Sequence, residues 1–146
     1  MGIAALIAWI LTAGGGFFML AKWVAGGGHR GEHTKLPPAM VFGHFLLAAA
    51  GLVLWIIYLA VDNDPIGWIA LIVLAPVAIL GLVMFARWLP TYRSSHATIS
   101  AGGGSDASGQ TPPERSFPVA IVGGHGVLAV VTVILVLLTM LGIGGS

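Results

Sequence analysis

Two histidines, His44 and His125, each stand inside a long apolar run of a chain that has five histidines and no cysteine. An ionisable side chain inside a bilayer is costly and marks a functional site by default. Their lead-in segments match: Leu36-Pro37-Pro38-Ala39-Met40-Val41-Phe42-Gly43-His44 lines up with Phe117-Pro118-Val119-Ala120-Ile121-Val122-Gly123-Gly124-His125. Two equivalent imidazoles at one depth suggest that they face each other across a shared object. The commonest such object is a haem iron, which needs two neutral imidazoles opposed along one axis and a flat apolar slot between their helices.

Other chemistries have less to draw on. A closed zinc site wants four ligands, and no carboxylate or thiol lies at that depth. Met19 and Met84 are candidate thioether ligands, but packing accounts for them as well. His29 and His33 flank Glu32 at a spacing that could hold a metal on one helical turn, yet Gly26-Gly27-Gly28 and Gly31 argue against a helix there. Neither these glycines nor Gly14-Gly15-Gly16 precede the Lys-Ser or Lys-Thr of a phosphate loop. Glu32, Asp106 and Glu114 are loop carboxylates without a visible partner, and no nucleophile–base–acid triad is evident. The lack of cysteine removes disulfides, thiolate nucleophiles, iron–sulfur clusters and covalent haem attachment.

The elements that must position the histidines are membrane spans. Of 146 residues, 58% are hydrophobic and only 8% charged, and the mean hydropathy is +1.00. A soluble domain of this length would need far more polar surface. A net charge of +1 gives no argument for nucleic acid. Met1 runs straight into apolar residues without a basic leader segment, so no cleavable signal peptide is expected. Four segments can each cover the roughly 20 residues a span requires: Ile3–Val24, Pro37–Val61, Ile66–Leu89 and Phe117–Ile143. Gly26 to Glu32 ends the first, Asp62-Asn63-Asp64-Pro65 turns after the second, and Pro90 ends the third. The Ser/Gly/Pro-rich stretch Ser94–Pro113 is expected to be a flexible loop.

Four spans put the two longer loops on one face, and Lys22, Arg30, Lys35, Arg87, Arg93 and Arg115 all fall there. The positive-inside rule makes both loops cytoplasmic and both termini external in a multi-pass cell-membrane protein. Trp23, Trp88 and Tyr92 at the cytoplasmic ends, and Tyr58 and Trp68 near the outer turn, read as interfacial belts.

The matching extends beyond the histidines. Met19-Leu20-Ala21-Lys22-Trp23-Val24 closes the first span, and Met84-Phe85-Ala86-Arg87-Trp88-Leu89 closes the third. The fold expected is therefore an all-α integral membrane four-helix bundle made of two tandem two-helix repeats, residues 1–61 and 66–143. Both copies insert the same way, related by an axis along the membrane normal. Each histidine follows its proline, Pro37 or Pro118, at the same interval and lies about 10 Å inside the cytoplasmic edge. Heptad rows run His44, Gly51, Tyr58 and His125, Thr132, Thr139, each on one helix stripe. Gly51 would admit a porphyrin edge, while Gly43, Gly123, Gly124 and Gly126 thin the helices around the histidines. Thr132 or a backbone carbonyl could take the second ring N–H. Lys22 and Arg87 sit where haem propionates would emerge, and they also read as ordinary positive flanks.

With paired Gly43-His44 and Gly124-His125 on the second and fourth spans, the chain resembles the small four-helix membrane b-type cytochromes and is similar in plan to cytochrome b561-like proteins. The likeness is architectural and covers the transmembrane part. That group commonly carries two haems on four histidines. No histidine lies towards the outer face here, so the resemblance implies one haem b at most, held by His44 and His125 as its iron ligands. The implied work is electron transfer or haem binding, with a quinone or a redox protein as partner, in a homo- or hetero-oligomer. The residues leave two alternatives open: a cofactor-free transporter or channel subunit whose histidines relay protons, and a structural or assembly subunit of a larger membrane complex.

Overall fold

The computed structural model describes residues 1–31, 33–100 and 112–143, the stretch 95–100 in its backbone only. The chain is all-helical there. Helices α1 (Gly2–Ala25), α2 (Pro38–Val61), α3 (Asp64–Ser100) and α4 (Val119–Met140) run up and down, with 3-10 turns at Gly28–Arg30 and Pro113–Ser116. All four are long and apolar enough to cross a membrane. One end of the bundle carries the two longer connections (the loop end), and the other carries the termini and the Asp62–Asp64 turn (the turn end).

Local chemistry sets most boundaries. Pro38 opens α2, where the missing N–H costs no helical bond. Asp62 ends that helix in the left-handed conformation at φ 50°, which short polar side chains tolerate. Asp64 then sits in the first turn of α3, where the helix dipole favours an acid. The last span is shorter than expected. Phe117 and Pro118 are extended ahead of α4, and the helix stops at Met140 before Gly142 turns at φ 69°.

Two expectations about the third span need correction. Pro90 does not end it: α3 contains Pro76 and Pro90 and continues to Ser100. A proline removes one backbone bond and crowds one carbonyl, and at the loop end water can satisfy the freed group. Past the proline, Tyr92 stacks on Trp88 with ring centroids 5.0 Å apart, and Phe85 lies 5.9 Å from Trp88, so one aromatic stripe braces both sides of it. The loop expected from Ser94 to Pro113 is thus helical to Ser100 and in a 3-10 turn from Pro113, and its middle, 101–111, lies outside the described residues.

Of the two closest helix pairings, only one joins neighbours in sequence. α2 packs along α3 and α1 along α4, while the contacts of α1 with α2 and of α3 with α4 are sparser. The bundle is two close helix pairs joined across a looser seam, and each pair takes one helix from each hairpin. Its core, at the turn end, comprises Ala5, Trp9, Trp55, Ala70, Leu74, Val77 and Val136. Across the seam at the turn end, glycines make room for side chains opposite: a Cβ on Gly2 would lie 2.6 Å from Leu59 Cδ2, and one on Gly67 2.5 Å from Met140 Sδ. Close approach of this kind is the main source of helix association where the surroundings are themselves apolar. Ile3, Ile7, Phe17, Leu46, Ile72, Leu82, Val127 and other large apolar side chains point outward, the reverse of a soluble protein and suited to lipid.

Candidate functional site

His44 on α2 and His125 on α4 face each other across the seam, with ring centroids 6.3 Å apart and ring planes at 59°. Each ring is tied to the helix beside it. His44 Nδ1 lies 3.0 Å from the carbonyl of Val77 on α3, and His125 Nδ1 lies 2.8 Å from that of Thr12 on α1. A carbonyl only accepts, so each Nδ1 must carry the proton and donate, which leaves Nε2 of the neutral ring with its lone pair. A backbone carbonyl on the far nitrogen is the usual way of fixing a ligating imidazole. Among the described residues, neither Nε2 makes a hydrogen bond and no unpartnered side-chain nitrogen is sealed from access. Both Nε2 atoms therefore keep accessible surface.

The two halves of the site correspond. Thr12 precedes Trp23 by the same interval as Val77 precedes Trp88, so the two accepting carbonyls are equivalent positions. Gly16 and Gly81 are equivalent in the same way, and each lies against the histidine opposite. A Cβ on Gly16 would sit 3.1 Å from His125 Cε1, and one on Gly81 3.3 Å from His44 Cε1. Each hairpin's histidine is thus held and accommodated by the other hairpin's first helix. The match runs to the turn end: Gly2 packs near Thr139 and Gly67 near Tyr58, again equivalent pairs.

The other residues singled out in the sequence divide into those near the rings and those elsewhere. Gly51 is buried, but Trp9 fills the space beside it, with Cζ2 3.0 Å from where a Cβ would lie. Thr132 is buried and donates to the Leu128 carbonyl at 2.8 Å, with its oxygen 3.3 Å from Thr12 Oγ1. The second ring N–H is taken by backbone carbonyls, not by Thr132. Gly43 and Gly124, like Gly123 and Gly126, have no side chain or neighbouring helix within 4 Å of a built Cβ. Lys22 is half-buried with Nζ 5.7 Å from the Phe18 ring centre, and Arg87 is exposed. Trp23 and Trp88, expected as interfacial belts, are instead 1% and 4% exposed, because both indoles donate into loop-end hydrogen bonds. His29 and His33 are exposed, and Gly31 at φ 76° breaks the turn between them. The His96 side chain lies outside the described residues.

Gly16 and Gly81 are the positions that sequence reasoning missed. The signal was present: Gly16-Phe17-Phe18-Met19 and Gly81-Leu82-Val83-Met84 extend the matched blocks by one turn. Glu114 was also misjudged, since it is fully buried and accepts from the Thr34 hydroxyl and the Lys35 N–H.

Among the described residues, no group of three or more His, Asp or Glu side chains comes together to hold a metal ion. The donor set is two imidazoles only. No protein-family model, curated protein or solved structure matches the chain.

Proposed function

We propose that this chain is an integral membrane protein of two tandem two-helix repeats that holds one haem b between His44 and His125 and serves electron transfer or haem binding. The observation that carries the proposal is the opposed pair of imidazoles, each with Nδ1 tied to a carbonyl and Nε2 unengaged. Two imidazoles on one iron, with metal–nitrogen bonds of about 2 Å, have ring centres about 6 Å apart. The 6.3 Å separation fits. Two donors are too few for a closed metal site, but they complete the coordination of an iron whose macrocycle supplies the remaining ligands.

Such a group would supply one-electron redox chemistry when bound. The chain's own residues do the rest. His44 and His125 would hold the iron through Nε2, and Val77 O and Thr12 O keep each ring in the ligating tautomer. Gly16 and Gly81 let the Nδ1–Cε1 edge of each ring come close to the neighbouring helix. The looser seam between the two helix pairs could take a flat ligand without parting a close-packed pair. Duplication is supported by the equivalent carbonyls and glycines, and the basic residues at the loop end support a cytoplasmic location for that end.

A proton relay is less well served. It needs polar groups leading to both faces; beyond Thr12 and Thr132 the turn end offers Tyr58 and Thr139, whose hydroxyl donates to the Leu135 carbonyl, around an apolar core of Ala5, Trp9, Trp55, Ala70, Leu74, Val77 and Val136. The deciding experiment is a reduced-minus-oxidised visible spectrum of detergent-purified protein, run beside His44→Ala and His125→Ala. A sharp low-spin b-type band that either variant loses or turns high-spin is the expected result. Colourless protein from haem-supplied cells, with both variants folded, would dismiss the reading.

A further inference from the structure

At the loop end, one carboxyl ties the two connections to each other. Glu114, in the 3-10 turn before α4, is 0% exposed. Its Oε2 accepts from the Thr34 hydroxyl at 3.0 Å, and its Oε1 accepts from the Lys35 backbone N–H. The Glu114 carbonyl accepts from Trp88 Nε1 at 3.1 Å, while Trp23 Nε1 donates to Thr34 Oγ1 at 2.9 Å. Trp23 and Trp88 stand at equivalent places near the loop ends of the two helices that flank the histidines. One carboxyl therefore joins the connection before α2 to the connection before α4, and the network it centres runs through both indoles. Two glycines allow the close fit: a Cβ on Gly28 would run into the Trp23 indole, and one on Gly26 would lie 2.8 Å from Pro113 Cβ.

Among the described residues this carboxyl meets only neutral donors. Burying an acid on such partners is a poor source of stability compared with an apolar contact. It is an effective fastening that can come undone as a unit, because losing the acceptor leaves the Lys35 N–H without its partner and the Thr34 hydroxyl with only the Leu36 carbonyl, at 3.2 Å.

We propose that Glu114 pins a cap over the loop end of the histidine seam, and that the cap must open for a haem-sized ligand to enter or leave; the ligand part rests on the haem reading above. The chain has no cysteine, so a single Leu36→Cys, at a position 5% exposed, reports on the cap through its rate of labelling by a water-soluble maleimide. In the full-length protein, adding Glu114→Ala or, independently, Thr34→Val is expected to speed labelling about tenfold. Glu114→Gln keeps one acceptor and falls between, which covers the case in which the alanine variant fails to fold. Haem transfer from Glu114→Ala to an excess of haem-scavenging apoprotein is expected to accelerate by a similar factor. Unchanged labelling in the folded Glu114 and Thr34 variants overturns the pin. Faster labelling with unchanged haem transfer overturns its control of the ligand. If no variant or parent holds haem, the cytochrome reading fails separately, and the labelling rates still decide whether Glu114 pins the cap.

Discussion

Gly16 lies so close to His125 that a Cβ there would sit 3.1 Å from ring Cε1, and Gly81 stands to His44 in the same relation at 3.3 Å. Both distances are shorter than ordinary carbon–carbon contact. The glycines are steric conditions for the ring positions. Gly14, two residues earlier and on the opposite side of α1, has nothing within 4 Å.

Gly16→Leu and Gly81→Leu should therefore each displace the facing imidazole, converting low-spin haem to high-spin or losing it, with the helices intact by circular dichroism. Gly14→Ala should keep the spectrum and gain about 0.5–1 kcal/mol from helix propensity. Visible spectra and detergent unfolding of the three variants side by side provide the check. Low-spin haem retained in both leucine variants would mean that the rings are not where the ligation needs them.

Trp9 fills the space that Gly51 leaves, with its Cζ2 and Cη2 3.0 and 3.1 Å from a built Cβ. Trp9→Ala empties a buried site and should cost about 3–5 kcal/mol. Adding Gly51→Leu on the facing helix should recover part of that loss, while Gly51→Leu alone should be destabilising through overpacking. A double-mutant cycle of unfolding free energies in detergent measures the coupling. Strict additivity would show that the two positions do not share the space.

The threonine pair next to the site poses a question of proton count. Thr12 Oγ1 donates to the Ala8 carbonyl and Thr132 Oγ1 to the Leu128 carbonyl, each at 2.8 Å. With both hydroxyl protons engaged along their own helices, the 3.3 Å contact between the oxygens has none to share. The coupling energy in a Thr12→Val, Thr132→Val cycle should fall below about 0.6 kcal/mol, the average for hydrogen bonds between membrane helices. The spectrum should survive Thr12→Val, because Thr12 holds His125 through its carbonyl. A coupling above about 1.5 kcal/mol would mean that one hydroxyl turns to the other.

The number of helices, their approximate ranges and the nearness of His44 to His125 were legible because they rest on composition and on rare residues in matched blocks. What was not legible depended on groups without a side-chain signature. The carbonyls of Thr12 and Val77 are backbone atoms, and no residue type announces them. The pairing of α1 with α4 joins opposite ends of the chain, and Gly2 and Gly67 make room for Leu59 and Met140 on helices of the other pair, partners that no local pattern announces. Pro90 misled because a proline stops a helix in sequence statistics, whereas the aromatic stripe Phe85, Trp88, Tyr92 carries α3 past it. Glu114 misled because its partners, Thr34 and the Lys35 N–H, are ordinary loop groups.

Topology gives a prediction independent of any cofactor. Asn63 lies in the exposed turn between α2 and α3, and Ser94 is exposed near the loop end of α3. In the cysteine-free chain, Asn63→Cys should react with a membrane-impermeant maleimide in intact cells, and Ser94→Cys only after permeabilisation. The basis is the basic residues Lys22, Arg30, Lys35, Arg87, Arg93 and Arg115 at the loop end, against none at the turn end; near the surface of an anionic leaflet each is worth about 1 kcal/mol. The reverse labelling pattern would put the histidine pair near the outer face, and its redox or ligand partner would then have to be sought outside the cell.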